Sequence, residues 1–406
     1  VRFKVQRIAY EISLQEALAD YGGGDIIQAN SLYLDSSWGI GASYRELLHG
    51  VDCPLNSAYM DVFTWYQGAE GGNRHKNSIC VFEMDTGVPA LRHYSYSNEF
   101  YGAIKSWALV IRSIAEVYNY DYIFDTYLYV DGTIETKVHT TGYIQANAQS
   151  SSYPARFGYP MNWGVGGTIH NHHLSWKVDL DIAGTQNSVR THEIRMAQVD
   201  TGFGGKRYAH YYDVTIPETE QESAIKPNLA SPKIPIVVNE NAKNKWGSPR
   251  GYKVQVNRII HELMPESEPW KQSLGFARYS FVATKHKDNE TSSSSIYNQA
   301  QLGNPVVRFD ELIGSETIRN QDIVIWVSSG LYHLPTSEDA PVTSTTSNNI
   351  GFSLVPFNYG DESLATDMAD MVYLTKTIDK GPIVSDASRC QGGYQQVPYV
   401  TDGFEG

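Results

Sequence analysis

Apolar and polar residues alternate with a period of two along much of this chain, in short runs separated by turn-forming residues. The clearest run covers residues 122–130, is broken by Asp131-Gly132 and resumes over 133–138. An Asp-Gly pair between two alternating runs is a strong hairpin signal, because the tight turn that joins twisted strands favours those residues. Further strands are expected at 109–114, 174–182, 252–259, 278–284 and 322–328. The opening VRFKVQRIAYEISLQEAL reads as a strand interior followed by a short amphipathic turn. Polar stretches at 146–153, 199–208 and 285–295 read as loops, and the four serines at 292–295 as an ordered loop instead of a linker. There is no internal repeat. The expected fold is all-β, a large antiparallel β-sandwich with few short helices.

Composition narrows the function classes. At 406 residues the chain exceeds the size at which one core normally stops growing, so several domains or one very large sheet architecture is expected. With 32 basic against 45 acidic residues the net charge is -13, which repels nucleic acid and favours small cations such as protonated amines. No stretch of about 18 apolar residues is present, so no membrane-spanning helix is expected. No secretory apolar segment opens the chain, and its strand-like start is read as the remainder of a longer precursor. Cys53 and Cys80 lie in apolar contexts and could pair across neighbouring strands. Cys390 is left over, either as a link between subunits or as an unpaired surface thiol. Asn289-Glu290-Thr291 is a glycosylation sequon.

Three clusters offer chemistry. His170 and His172 stand two apart and so share a strand face, with His173 on the other. Imidazoles grouped without carboxylates suit copper or zinc, though the bare spacing fits a core-satisfied pair better. His333, at the end of the strand that begins near Asp322, is the candidate third ligand. Asp179-Leu180-Asp181 offers two carboxylates and a carbonyl, hard oxygens that fit calcium, or else a polar strand edge. Tyr118, Tyr120 and Tyr122 alternate with Asn119 and Asp121, which places the three rings on one face. On the residues alone this is an aromatic packing row.

Together, and in this order, the three clusters resemble the copper-containing amine oxidases. Asn119-Tyr120-Asp121-Tyr122 is similar to the motif in which the family oxidises its own tyrosine to topaquinone. His170, His172 and the LYHLPTSED segment around His333 resemble its copper ligands. Tyr33-Leu34-Asp35 resembles its Tyr-x-Asp segment, and Tyr21 matches a tyrosine before glycine. Echoes such as CVFE, ARYSFVATK and PFNY extend the likeness from about residue 9 to about residue 360, with the animal diamine oxidase and vascular adhesion protein type nearest in flavour.

The resemblance implies a primary-amine oxidase that releases an aldehyde, ammonia and hydrogen peroxide, using copper(II), topaquinone and calcium. Tyr120 becomes the quinone and carries the Schiff base, Asp35 is the catalytic base, Tyr33 the gate, and Tyr21 bonds the quinone oxygen beside Asn119. Desolvation within an apolar, aromatic wall is expected to raise the pKa of Asp35. Calcium is expected on Asp179, the Leu180 carbonyl, Asp181, Asp322 and the Ile323 carbonyl, with a second position at Glu220, Leu312, Gly314 and Glu316. Gly314 departs from an oxygen-bearing side chain, Ala115-Glu116 from a small hydroxyl-rich pair, and Thr336 from a larger basic residue. Residues 1–406 are read as the catalytic domain without the family's small N-terminal domains. A homodimer, a glycoprotein and an extracellular location are implied, with a peroxisomal one as alternative and no nucleic-acid partner. The preferred amine stays open among diamines, monoamines, histamine and peptidyl lysine. A catalytically silent adhesive or structural relative is the alternative function.

Overall fold

Strands dominate the computed structural model, which describes residues 1–4, 6–23, 31–65, 71–94, 100–148, 155–367, 371–377 and 381–384. The strands used below are, in chain order, β1 (Ala9–Tyr21), β2 (Leu32–Leu34), β3 (Tyr120–Tyr129), β4 (Ile134–Gly142), β5 (His170–Leu180), β6 (Ser188–Asp200), β7 (Lys206–Thr215), β8 (Lys233–Lys243), β9 (Pro249–Val256), β10 (Phe281–Lys285), β11 (Ile323–His333) and β12 (Asn349–Phe357). The expected all-β antiparallel architecture is borne out, and helices are limited to short 3-10 segments and one α turn among the described residues.

The chain divides into two compact units. In the first, comprising Val1–Phe82, Leu109–Leu128 and Gly132–Asp361, a five-stranded sheet runs β10-β11-β5-β1-β2. A larger sheet contains the order β7-β6-β8-β9-β12-β4-β3. The two sheets meet through their inner faces, where the Trp176 ring of β5 lies edge-on to Phe352 of β12 at 5.4 Å. In the second unit, Met371 pairs with Ile104, Thr375 with Phe100, and Leu374 with Val384, all antiparallel.

Every residue of β5 is buried, because the strand is central in its sheet and covered on both faces. Its sequence, HNHHLSWKVDL, buries His170, His172 and Asp179 together with Asn171, His173, Ser175 and Lys177, an unusual polar load for a central strand. Antiparallel pairing sets His170 opposite His333 and Asp179 opposite Val324, while on the other side His170 faces Tyr21. On β2, Leu32 and Leu34 turn into a cluster with Leu18, Leu274, Phe276 and Trp326. Burial of each such leucine contributes roughly 1.5–3 kcal/mol. By alternation Tyr33 points the other way, and the chain then enters a 3-10 turn at Asp35–Trp38.

Several expectations need adjusting. LQEAL is not a turn: β1 runs unbroken through it, because the pairing partners β5 and β2 extend that far. The 131–132 hairpin forms, but the pairing of its strands ends at Leu128 with Ile134, a wider connection than a two-residue turn, with only Gly132 at positive φ of 88°. The 199–208 loop shrinks to the tip of the β6–β7 hairpin, where Gly202 and Gly204 take positive φ. Cys53 and Cys80 form a disulfide, although Cys53 sits in a turn and not on a strand beside Cys80. Cys390 lies outside the described residues.

Candidate active site

His170 and His172 leave the inner face of β5 and His333 ends β11 directly opposite. The pairing register alone brings a residue over 150 positions distant in sequence to the first two. One ring nitrogen of each lies within 4.8 Å of the others, and all three residues are buried. His170 Nδ1 donates to the Thr168 carbonyl at 2.9 Å, which leaves Nε2 with its lone pair. His333 Nε2 donates to Asp339 Oδ1 at 3.2 Å, which leaves Nδ1 with its lone pair. Neither nitrogen of fully buried His172 has a hydrogen-bond partner among the described residues. An imidazole shut away from water with two unmet nitrogens is costly unless something else binds it, and a metal ion would. Burial pushes all three below the ordinary histidine range, His170 to about 3, reinforced for His170 and His172 by neighbouring imidazoles. They are neutral donors at physiological pH, a nitrogen set that suits copper or zinc.

Tyr120, the first residue of β3, points its hydroxyl into this group, 2.7 Å from His170 Nε2 and 3.4 Å from His333 Nδ1. Its ring is edge-on to His172 at 4.8 Å. The phenol is 2% exposed, and burial pushes its pKa well up. Gly142, opposite Tyr120 on β4, makes the approach possible: a Cβ there would meet the Asn119 carbonyl at 2.4 Å, and its φ is +95°. The reading of Tyr118 as part of one aromatic face needs correction. Tyr118 has φ of 57° in the turn before β3 and is 71% exposed, while Tyr120 and Tyr122 are buried. Left-handed backbone breaks the alternation.

Asp35 is buried at the start of its 3-10 turn and accepts from Tyr122 Oη at 2.6 Å. Burial is the main cause that pushes it up to about 8; the Tyr122 bond opposes this and the charge of Glu16 adds to it. Tyr21 stacks on His170 at 4.6 Å, and its phenol is held well above its ordinary value, first by burial. Tyr33 meets Tyr21 edge-on at 6.0 Å and Trp38 at 6.2 Å, and its hydroxyl accepts from Gln145 Nε2 at 3.3 Å. Asn119 Nδ2 donates to the Tyr143 carbonyl at 2.6 Å. A cavity of about 550 Å³ joins these groups, lined by Tyr33, Asp35, Trp38, Tyr118, Tyr120 and Tyr143 among others. It is an aromatic channel that ends on Tyr120 and a raised carboxylate. Gly142, Tyr122 as partner of Asp35, and Gln145 escape sequence reasoning, since each acts through a contact distant in the chain.

Asp179, Asp181 and Asp322 converge at the other end of β5 and β11, with carboxylate oxygens within 4.8 Å of one another. Burial first, then the other two aspartates, pushes Asp179 up to about 6. Arg7 pairs with Asp181 at 3.1 Å and His286 approaches Asp179 at 3.8 Å. Leu180 and Ile323, whose carbonyls complete the expected calcium set, are buried beside them. The second expected calcium position is different. Glu220 accepts from Gly314 N at 2.6 Å and Lys285 N at 3.0 Å, and Lys287 Nζ lies 3.6 Å from it. The same ammonium pairs with Glu290 at 2.8 Å and with Glu316. The chain's own ammonium thus stands among the carboxylates of this position, with Gly314 as a backbone donor to Glu220.

A family model described as "Copper amine oxidase, enzyme domain" matches residues 1–375. The chain is 36% identical over 384 residues to the primary amine oxidase, liver isozyme, of Bos taurus, covering 94% of this chain and 50% of that protein. It is 35% identical over 391 residues to the human (Homo sapiens) diamine oxidase, covering 94% and 51%. Among solved structures, the Pichia pastoris lysyl oxidase superposes with a TM-score of 0.88 at 30% identity, over 97% of this chain and 54% of that one. The chain spans about half the length of the curated relatives that it matches.

Proposed function

This chain belongs to the copper amine oxidase family, and from that premise we propose that it oxidises a primary amine to an aldehyde with release of ammonia and hydrogen peroxide. One observation carries the reading: a buried tyrosine hydroxyl 2.7 Å from one neutral imidazole and 3.4 Å from another, at the end of a channel that also holds Asp35. His170, His172 and His333 would hold copper(II), and Tyr120 would be the precursor of topaquinone. When present, the pair supplies an electrophilic carbonyl for the amine and a path for its electrons to dioxygen.

The protein's own groups do the rest. The aromatic channel admits a small amine and keeps bulk water from the reacting carbon. Asp35 takes a proton from the carbon beside the nitrogen; Tyr122 holds one of its oxygens and leaves the other for that transfer. Burial makes this carboxylate a stronger base than an exposed one. Tyr21, hydrogen-bonded to Asn119 in the same cavity, would bond an oxygen of the modified ring, and Tyr33, tethered by Gln145, would be the gate. Asp179, Asp181, Asp322 and the carbonyls of Leu180 and Ile323 would bind calcium as a structural ion.

Residues 1–406 are read as the catalytic domain, working as a homodimer in an extracellular setting, with a peroxisomal one as alternative. The Cys53–Cys80 disulfide and the exposed sequon at Asn289 favour the extracellular reading. No helix among the described residues is long and apolar enough to cross a membrane. A catalytically silent relative would not need Tyr120, Asp35 and three convergent histidines together. The test is the mass of the peptide that contains Tyr120 after exposure to copper and oxygen. Two oxygens gained and two hydrogens lost are expected; unmodified Tyr120 in copper-loaded, aerated protein overturns the proposal.

A further inference from the structure

One fully buried carboxylate takes no part in the chemistry just described. Glu16, on β1, is 0% exposed and shares the cluster-facing side of that strand with Leu18, away from Tyr21. Its Oε1 accepts from the backbone N–H of Ala17 at 3.1 Å and of Ser36 at 2.8 Å. Its Oε2 accepts from Ser36 Oγ and Ser294 Oγ, both at 2.6 Å. Ser294 accepts in turn from Asn298 Nδ2 at 3.3 Å, and Asn298 is pinned to the backbone of Val307 at 2.9 and 3.0 Å. The serine run thus has a definite task, to line the pocket of a buried acid. No lysine, arginine or histidine among the described residues pairs with this acid. A buried charge without a counter-ion is costly, and an apolar residue of similar volume would be the more stable choice.

What Glu16 holds is the turn that carries Asp35. The first N–H groups of any helical turn lack internal partners and need a cap. Leu34, at the cap position of the 3-10 turn Asp35–Trp38, gives no side-chain hydrogen bond. Glu16 supplies it from across the sheet by taking the Ser36 N–H. We propose that Glu16 is a positioning residue for Asp35, capping its turn from the neighbouring strand and placing a like charge behind the base. The inference rests on the reading of Asp35 as that base.

Burial pushes Glu16 up to about 6 against four hydrogen bonds that favour the anion, so it is ionised at neutral pH. The titratable groups that act on Asp35 are Tyr122 from β3 and Glu16 and Tyr21 from β1, together with Tyr120. Of these, ionised Glu16 is the one that strengthens Asp35 as a base at neutral pH.

The test uses copper-loaded, quinone-containing protein, with quinone content titrated by a hydrazine. Glu16→Gln keeps the shape and the acceptor for both N–H groups but removes the charge. Its acidic limb in kcat is expected to move to lower pH and its plateau to fall severalfold, at parental quinone content and with KM within about threefold. Glu16→Asp keeps the charge but cannot reach Ser36, so kcat falls about ten- to a hundredfold while the limb stays in place. If neither variant folds, Ser36→Ala, which deletes one of the four bonds, is expected to lower kcat about three- to tenfold at parental quinone content. An unmoved limb and plateau in Glu16→Gln, or parental kcat in Ser36→Ala where that is the readout, overturns the inference. Asp35→Asn run in parallel separates the two readings. If it turns over normally, the base assignment has failed; if it is inert while the Glu16 variant is parental, only the Glu16 inference has.

Discussion

The two ends of the β5–β11 strand pair solve one problem in opposite ways. Nine residues, or ~30 Å of strand, separate His170 from Asp179. At the first end three imidazoles crowd together and remain neutral, since burial pushes their pKa values down and removes the repulsion that charge would bring. At the second, three carboxylates crowd together and cannot shed charge so readily. Asp322 is exposed, Asp181 leans on Arg7 and Asp179 on His286. Nitrogen donors can therefore wait, dry and preassembled, for a metal, whereas oxygen donors need a cation to be comfortable. The difference teaches that the histidine end should govern activity with little effect on stability, and the aspartate end the reverse.

The largest expected effect tests the first half of that statement. His172→Ala should lower copper affinity at least about a hundredfold and leave Tyr120 unmodified, while the melting temperature stays within a few degrees of the parent. Metal analysis with peptide mass and thermal melts reads both. Full copper loading with modified Tyr120 would remove His172 from the ligand set; a collapsed melting temperature would make the cluster structural.

Next in size is the pH dependence of Asp35. Its folded-state value, about 8, lies far above the 3.8 of an unperturbed aspartate. For stability the raised value means that the folded state binds the proton more tightly. The benefit is complete below about pH 4 and is lost as pH rises through about 8. Asp35→Asn should therefore melt close to the parent at pH 4 and above it at pH 9. For activity, kcat of the parent should rise through neutral into mildly alkaline pH, and Asp35→Asn should abolish turnover while keeping the quinone. An acidic limb near pH 4, or equal melting of the two proteins at pH 9, would show that the carboxylate is not desolvated as described.

At the aspartate end the expected change is thermal. Calcium should raise the melting temperature by about 2–6 °C over chelator-treated protein, and Asp181→Asn should erase most of that response. Identical melts in calcium and chelator would mean that Arg7 and His286 already balance the cluster.

How far the sequence reveals all this depends on the range of the contact concerned. The β architecture is legible in alternation because neighbours along the chain share or oppose a face. Tyr120 and Asp35 are legible only through their resemblance to a family, since nothing local distinguishes Tyr120 from Tyr118 or Tyr122, whereas His333 is a candidate from its place at a strand end. The structure sets Tyr118 apart by its left-handed backbone, and Tyr120 from Tyr122 by hydroxyl partners, His170 for one and Asp35 for the other. HNHHLSWKVDL is legible as a strand, but not as one buried on both faces, because such a strand need not alternate. Gly142 is invisible because its reason, the Asn119 carbonyl, comes from across the hairpin. Glu16 is hidden for a similar cause: what it caps lies twenty residues on, and what it leans against lies 278 residues on. Local pattern reports elements; the partners of buried polar groups are decided by register and packing.

The smallest effect belongs to the second carboxylate group, where the chain's own ammonium stands among the acids. Lys287 holds Glu220, Glu290 and Glu316 around one ammonium, partly open to solvent. Exposed ion pairs contribute little each, and a network somewhat more. Buried Glu220 keeps two backbone donors even without the lysine. Lys287→Ala should thus lower the melting temperature by only about 1–3 °C at low ionic strength, and less at 1 M salt, where screening replaces the ammonium. Lys287→Arg should recover most of the loss. The calcium response of the Asp181 end should be unchanged in both variants. An undiminished melting temperature in Lys287→Ala at low salt would show that these carboxylates need no cation, and the contrast drawn between nitrogen and oxygen clusters would then hold only for the more crowded aspartates of β5 and β11.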